Sequence, residues 1–344
     1  MIKIENLEIG KDFCPKIIAE IGINHNGSLD EAKKLAELAA SSGADIIKSQ
    51  FHIAGEEMSN SAKSVVPPHT KDSIYKIIDQ CSLSIDEEFE FKEFIEELGT
   101  QYLCTPFSVK AAHLLGEMGV NAFKIGSGEC NNFAVLDAAS NYLKPMIIST
   151  GMNTLDSCKK TYDRVTKAIG LNVVLMHTTN LYPTPFHLVR LGGVSELKKI
   201  SKEYVGLSDH TTSNLASLGA IALGATLIER HFTDSKERKG PDIKNSMTPN
   251  DLKELKKDSL LMFQMRGGTK KYEIPEEDPI RDFAFATIVA KNDLKKGDII
   301  SKDNSCPKRP GIGEIPAYDH DSILGKEVKN TIIKDSHISF KDLK

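Results

Sequence analysis

Eight short runs rich in Ile, Val, Leu and Phe recur between residues 16 and 232, each followed by a polar turn and a stretch of helical periodicity. They are KIIAEIG at 16–22, DIIKSQ at 45–50, YLCTPF at 102–107, AFKIGS at 122–127, PMIISTG at 145–151, VVLMHTT at 173–179, YVGLSDH at 204–210 and TLIERHF at 226–232. Between the first two, Leu29, Ala32, Leu35, Ala36 and Ala39 fall on one helical face. Strand–helix–strand units of this length are right-handed crossovers that make the strands parallel neighbours. Eight repeats in this span predict a (β/α)8 TIM barrel. The competitor, a doubly wound open sheet, loses because no G-x-G-x-x-G follows the first strand.

Alternation along each strand sharpens the prediction, since residues two apart share a face. One face carries Ile18, Glu20 and Gly22; Ile46, Lys48 and Gln50; Ala122, Lys124 and Gly126; Ile147 and Ser149; Ser208 and His210; Glu229 and His231. The other face carries Ile17, Ala19, Ile47, Phe123, Ile125, Ile148, Val205 and Leu207, suited to lie under helices. Polar residues thus collect inside, at the C-terminal strand ends where barrel enzymes keep their chemistry. Closure of the ring makes Glu20, His210 and His231 neighbours.

Residues 1–266 form the expected barrel domain. The connection from Phe51 to Tyr102 is too long for a turn and is expected to lie over the substrate. Residues 251–265 read as the last barrel helix, and 267–283, rich in Gly, Pro and charge, as a linker. Residues 284–344 read as a small β-rich domain broken by KKGD, RPGIG and KDSH turns, near the lower size limit for independent stability.

Composition narrows the partners. A formal net charge of −4 with 27% charged residues gives no general case for nucleic acid or an anionic membrane, so any bound anion must be held by locally placed Lys and Arg. The six cysteines include no Cys-x-x-Cys, which argues against a zinc knuckle or a disulfide framework. No run is long enough to span a membrane, and the amino terminus lacks a signal-peptide core; a cytoplasmic protein is expected.

Two imidazoles at adjacent strand mouths, His210 and His231, can share one metal ion. Two ligands leave coordination positions for water or substrate, as catalysis requires. Lys48 and Lys124, ringed by Thr105, Ser127, Ser149, Asn180 and Ser208, have the composition of a phosphate or carboxylate cradle, to which the glycines of IGSGECNN add approachable N–H groups. Glu129, in that glycine-flanked turn, is the candidate for proton transfer.

EIGINHNGSL, KIGSGECNN, STGMN, NLYPTP, GLSDHT, ERHFTD, GPD and KRPG together closely resemble the sialic acid (N-acetylneuraminate) synthase family, and the segment 284–344 resembles its antifreeze-like (SAF, β-clip) domain. The resemblance implies a phosphoenolpyruvate-dependent transferase that joins phosphoenolpyruvate to N-acetylmannosamine, giving N-acetylneuraminate and phosphate with Mn2+ or a similar ion (Mg2+ or Co2+). It makes His210 and His231 the metal ligands. Lys48, Thr105, Lys124, Ser127, Ser149, Asn180 and Ser208 would surround phosphoenolpyruvate, while Gln50, Tyr182 and Asp242 would hold the amino sugar. Glu129 would handle protons, Glu20 would support the water or metal shell, and Lys124 would count with them as a catalytic residue. It further implies a domain-swapped homodimer in which Arg309 reaches the partner's mouth to recognise the N-acetyl group and Phe283 packs the lid.

Two departures bear on the acceptor. Residues 48–52 read KSQFH where bacterial sialate synthases read K-H-Q-T-H, and Pro67, Pro68 and His69 stand where those read P-G-N. Legionaminate or pseudaminate synthesis from a 2,4-diacetamido hexose is therefore the alternative within the class. A non-catalytic carbohydrate-binding protein on an inert barrel is the alternative outside it.

Overall fold

Every one of the eight predicted runs is a parallel strand, and the eight close on themselves. The computed structural model describes residues 1–66, 71–240, 242–267 and 271–344. An antiparallel hairpin, β1 (Ile2–Ile4) and β2 (Leu7–Ile9), precedes the barrel. The staves are β3 (Lys16–Glu20), β4 (Ile46–Phe51), β5 (Gln101–Pro106), β6 (Phe123–Ile125), β7 (Met146–Ser149), β8 (Val173–Thr178), β9 (Val205–Asp209) and β10 (Leu227–His231). β10 pairs with both β9 and β3, which closes the ring and sets His231 opposite Glu20.

The helical layer is α1 (Leu29–Ser41), α2 (Ala54–Glu57), α3 (Ile74–Cys81), α4 (Ile85–Glu97), α5 (Val109–Glu117), α6 (Phe133–Ser140), α7 (Leu155–Ile169), α8 (Gly192–Ile200), α9 (Leu215–Ala222) and α10 (Pro249–Arg266). Polar side chains start these helices where the backbone needs acceptors. Ser28, Ser84, Ser108 and Thr154 each accept a bond from a first-turn N–H. Thr248 and Asp251 make a capping box with Pro249 in the first turn, which is why α10 begins just before the run of helical periodicity.

Strand parity decides two separate apolar cores. Ile17, Ala19, Ile47, Phe123, Ile125, Ile148, Val205 and Leu207 pack with the helices. Ile18, Ile46, Leu103, Ala122, Ile147, Val174 and Leu227 fill the barrel interior, and Ile2, Ile4 and Ile9 of the hairpin join them. The β1–β2 hairpin thus forms a floor to the barrel. Its alternation is legible as Ile-x-Ile, but nothing in the sequence says what the exposed face of so short a hairpin will meet. Replacing Ile4, 2% exposed, by Ala should cost about 2–5 kcal/mol, through lost burial and an unfilled space. Urea unfolding would show it as a lower midpoint at unchanged slope.

The long connection between β4 and β5 carries α2, a 3-10 turn (Asn60–Lys63), α3 and α4. The end of α3 presses against the turn after β3, where a side chain at Gly27 would strike the Gln80 carbonyl. His69 and its two preceding prolines lie outside the described residues.

The chain divides into two compact units, Met1–Gly267 and Gly268–Lys344. In the second, the segment read as a linker holds a 3-10 turn (Pro275–Glu277) and a short helix, α11 (Asp278–Ala284). Beyond it, β11 (Thr287–Ala290) pairs antiparallel with β12 (Ser305–Lys308), and isolated bridges knit the remaining turns. Ile288, Ala290, Leu294, Ile300, Ile315, Ile323, Val328, Ile338 and Leu343 make its core.

Candidate active site

Above the apolar layer of the barrel the inward positions turn polar. A cavity of about 190 Å3 at the C-terminal strand ends is lined by Glu20, Lys48, Gln50, Thr105, Lys124, Ser127, Glu129, Ser149, Asn180, Tyr182, Ser208, His210 and His231, all singled out from the sequence. Phe107, Thr178 and Glu229 also line it. Asp242 stands beside this group, its Oδ2 3.6 Å from His231 Nδ1. Arg309, exposed, belongs to the second unit.

Glu229 is the residue the sequence left without a role. Its carboxylate sits between the lysines, Oε1 3.7 Å from Lys48 Nζ and Oε2 3.7 Å from Lys124 Nζ, and accepts a bond of 3.2 Å from Ser208 Oγ. The available signal was a carboxylate on the same strand face as His231. Lys48 Nζ also meets Glu20 Oε2 at 2.7 Å and donates to Thr105 Oγ1 at 3.3 Å, while Lys124 Nζ donates to Ser149 Oγ at 2.6 Å. All four charged groups are buried. Burial opposes the charge on Lys48, but Glu20 and then Glu229 outweigh it and hold its pKa above the usual amine range. Burial raises Glu20 against the pull of Lys48; a contact of 2.7 Å in a dry site, with a second carboxylate alongside, favours the charged pair. Burial lowers Lys124, and burial likewise opposes ionisation of Glu229, which Lys124 and Lys48 nonetheless hold below the usual carboxylate range.

Close packing needs two glycines. A Cβ at Gly126 would come within 2.7 Å of Glu129 Oε2, so only glycine lets that carboxylate fold back across the turn after β6. A Cβ at Gly151 would collide with the Asn180 side chain; without one, Gly151 N–H donates to Ser127 Oγ at 3.0 Å. Burial, then the nearby Glu57, pushes the Glu129 carboxyl up to about 7.

The two histidines lie side by side, ring centroids 5.5 Å apart, and Tyr182 stacks on His210 at 4.2 Å. His210 Nδ1–H donates to the Thr179 carbonyl at 2.9 Å, which leaves the Nε2 lone pair free to ligate. His231 Nδ1 is buried without a hydrogen-bond partner. Burial takes both pKa values down, to about 4 and about 3, so both rings are neutral, the form that binds metal. This donor set fits a divalent cation. Among the described residues no group of three or more His, Cys, Asp or Glu forms a metal cluster, so the pair would supply two donors only.

The motif departures on β4 have a different meaning from the one expected. Ser49 and Phe51 sit on the outward parity. Ser49 Oγ donates to Glu88 of α4, a buried carboxylate that Tyr102 OH also bonds at 2.5 Å, and Phe51 packs in the helix-side core. Neither lines the mouth, so neither reports on the acceptor sugar.

Paired lysines, carboxylates and a histidine pair gather at the C-terminal mouth of a (β/α)8 barrel, the end where barrel enzymes keep their active sites. Comparison with known proteins makes the class specific: the NeuB family model matches residues 35–271 and the SAF domain model residues 285–344. The chain belongs to the NeuB family, that of the sialic acid-type synthases, and ends in a SAF domain. N,N'-diacetyllegionaminic acid synthase of Campylobacter jejuni is 39% identical over 90% of this chain and 94% of that protein. Human N-acetylneuraminate-9-phosphate synthase is 33% identical over 94% of this chain and 90% of that protein. Among solved structures, N-acetylneuraminic acid synthetase from Leptospira borgpetersenii superposes with a TM-score of 0.73 at 25% identity, covering 81% of this chain and 94% of that one. No helix among the described residues is long and apolar enough to cross a membrane.

Proposed function

We propose that this enzyme condenses phosphoenolpyruvate with N-acetylmannosamine and water to give N-acetylneuraminate and phosphate. The observation that carries the reading is the pair of buried lysines, 3.7 Å on either side of Glu229, opening into the same mouth as His210 and His231. Lys48 and Lys124, with Thr105, Ser127, Ser149, Asn180 and Ser208, hold phosphoenolpyruvate; Gln50, Tyr182 and Asp242 hold the sugar. A divalent cation held by His210 and His231, Mn2+ first and Mg2+ or Co2+ as alternatives, would act as a Lewis acid on the sugar aldehyde. C3 of phosphoenolpyruvate bonds to the aldehyde carbon, whose C=O pair moves to oxygen and is protonated to a hydroxyl, and positive charge develops at C2. The Glu129 carboxylate stabilises that charge and takes a proton from the water that adds there; Glu20 orients the water. The adduct then loses phosphate by C–O cleavage while its new hydroxyl passes its proton to the departing phosphate, which leaves the 2-keto group.

A 2,4-diacetamido hexose is the second acceptor reading, favoured by the 39% identity to the legionaminic acid synthase. Arg309 is assigned to the N-acetyl group at the mouth of the partner subunit in a domain-swapped homodimer whose lid Phe283 helps pack; both side chains are exposed here.

Phosphate release from phosphoenolpyruvate should appear with N-acetylmannosamine, vanish with a chelator and return with Mn2+. Faster release with the 2,4-diacetamido hexose would select the second reading. Sugar binding with no release under any condition would favour an inert carbohydrate-binding barrel and overturn the proposal.

A further inference from the structure

His52 does not line the mouth, yet it touches a residue that does. It follows β4, buried, with its ring stacked on Phe107 at a centroid distance of 4.1 Å and 16° between planes. Nδ1 lies 3.0 and 3.1 Å from the two carboxylate oxygens of Glu57 on α2, and Nε2 lies 3.0 Å from Gln50 Oε1. On its other side Gln50 donates Nε2–H to Glu20 Oε1 at 2.6 Å, and Glu20 Oε2 meets Lys48. A line of polar contacts therefore runs Glu57–His52–Gln50–Glu20–Lys48 into the anion cradle.

With Glu20 ionised against Lys48, the donors and acceptors along that line fix the Gln50 amide one way round. A carboxylate paired with Lys48 only accepts, so Gln50 must turn its NH2 toward Glu20. Its carbonyl then faces His52, and a carbonyl also only accepts. His52 Nε2 must then carry a hydrogen, and the contact of Nδ1 with the Glu57 carboxylate needs a second one, shared between ring and carboxylate. Rotating the Gln50 amide by half a turn would set its oxygen against the Glu20 carboxylate, acceptor against acceptor.

The geometry points to His52 as a positioning residue that, braced by Glu57 and Phe107, locks the Gln50 amide with its carbonyl engaged and its second N–H facing the mouth. Gln50 then acts on the acceptor sugar as a hydrogen-bond donor and selects a hydroxyl or acyl oxygen at that place. This specificity role rests on the acceptor assignment of Gln50 made above; the locked amide does not.

Two measurements separate those levels. In the free enzyme, 15N-detected histidine spectra should show His52 Nε2 protonated at neutral pH; a bare, pyridine-type Nε2 overturns the locked amide even if no sugar supports turnover. With the acceptor that gives phosphate release, His52→Phe, which keeps the stacking on Phe107, should raise the acceptor KM about tenfold, the worth of one well-placed hydrogen bond. The KM for phosphoenolpyruvate should stay within about twofold. His52→Gln, which retains a donor, should recover part of the loss and guards against misfolding of the first variant. Because His52 works through Gln50, adding His52→Phe to Gln50→Leu should cost nothing further. Multiplying losses, or equal losses for both substrates, would overturn the positioning role.

Discussion

Glu129→Gln should lower kcat by about 10²–10⁴-fold, the usual range for a positioned acid–base group, with metal content and phosphoenolpyruvate affinity close to those of the parent enzyme. The amide keeps the size and polarity of the carboxyl, so the fold around Gly126 should tolerate it, whereas the charge proposed to act on the reacting carbon is gone. Burial places the Glu129 carboxyl near 7, well above an exposed glutamate. Below that pH the group is protonated and cannot stabilise positive charge; above it the carboxylate is present. kcat/KM should therefore rise with pH through about 7, and this limb should be missing in Glu129→Gln. A near-parental rate in the variant, or an unchanged limb, would remove Glu129 from the chemistry.

His231→Ala should abolish turnover and weaken divalent-metal binding by more than about 100-fold, since loss of a partner that merely supports a ligand already costs 10–100-fold. Metal content after dialysis and titration calorimetry with Mn2+ read this independently of catalysis. His231 is buried at the end of β10, and its Nδ1 has no hydrogen bond to lose. Circular dichroism should accordingly report an intact barrel. Full metal occupancy in the variant would show that the histidine pair is not the site.

Parity carried most of what could be read in advance. Because a strand alternates strictly, Lys48, Lys124, Ser149, Ser208, His210 and His231 had to share the inward side once eight strands closed, and they line one cavity. The same rule, applied to the β4 motif, puts Ser49 and Phe51 against α4 and the helix layer, because they fall on the parity opposite to Lys48 and Gln50. Glu229 escaped because its role comes from two lysines on other strands, a relation that depends on ring closure and not on local spacing. His52 escaped for a related reason. Its partners Glu57 and Phe107 come from different connections, and their convergence is decided by how the long excursion after β4 folds back. The floor hairpin was hidden too, since an Ile-x-Ile pair in a charged stretch gains its meaning only from the barrel interior it covers.

The ring is sealed by pairing Lys16–Glu20 with Leu227–His231, segments from nearly opposite ends of the first unit. A nascent chain must therefore carry two unsatisfied sheet edges, on β3 and on the latest strand made, until synthesis passes β10. Products that stop short should be sticky and insoluble rather than partly active, and successful refolding should depend on keeping such half-rings dilute.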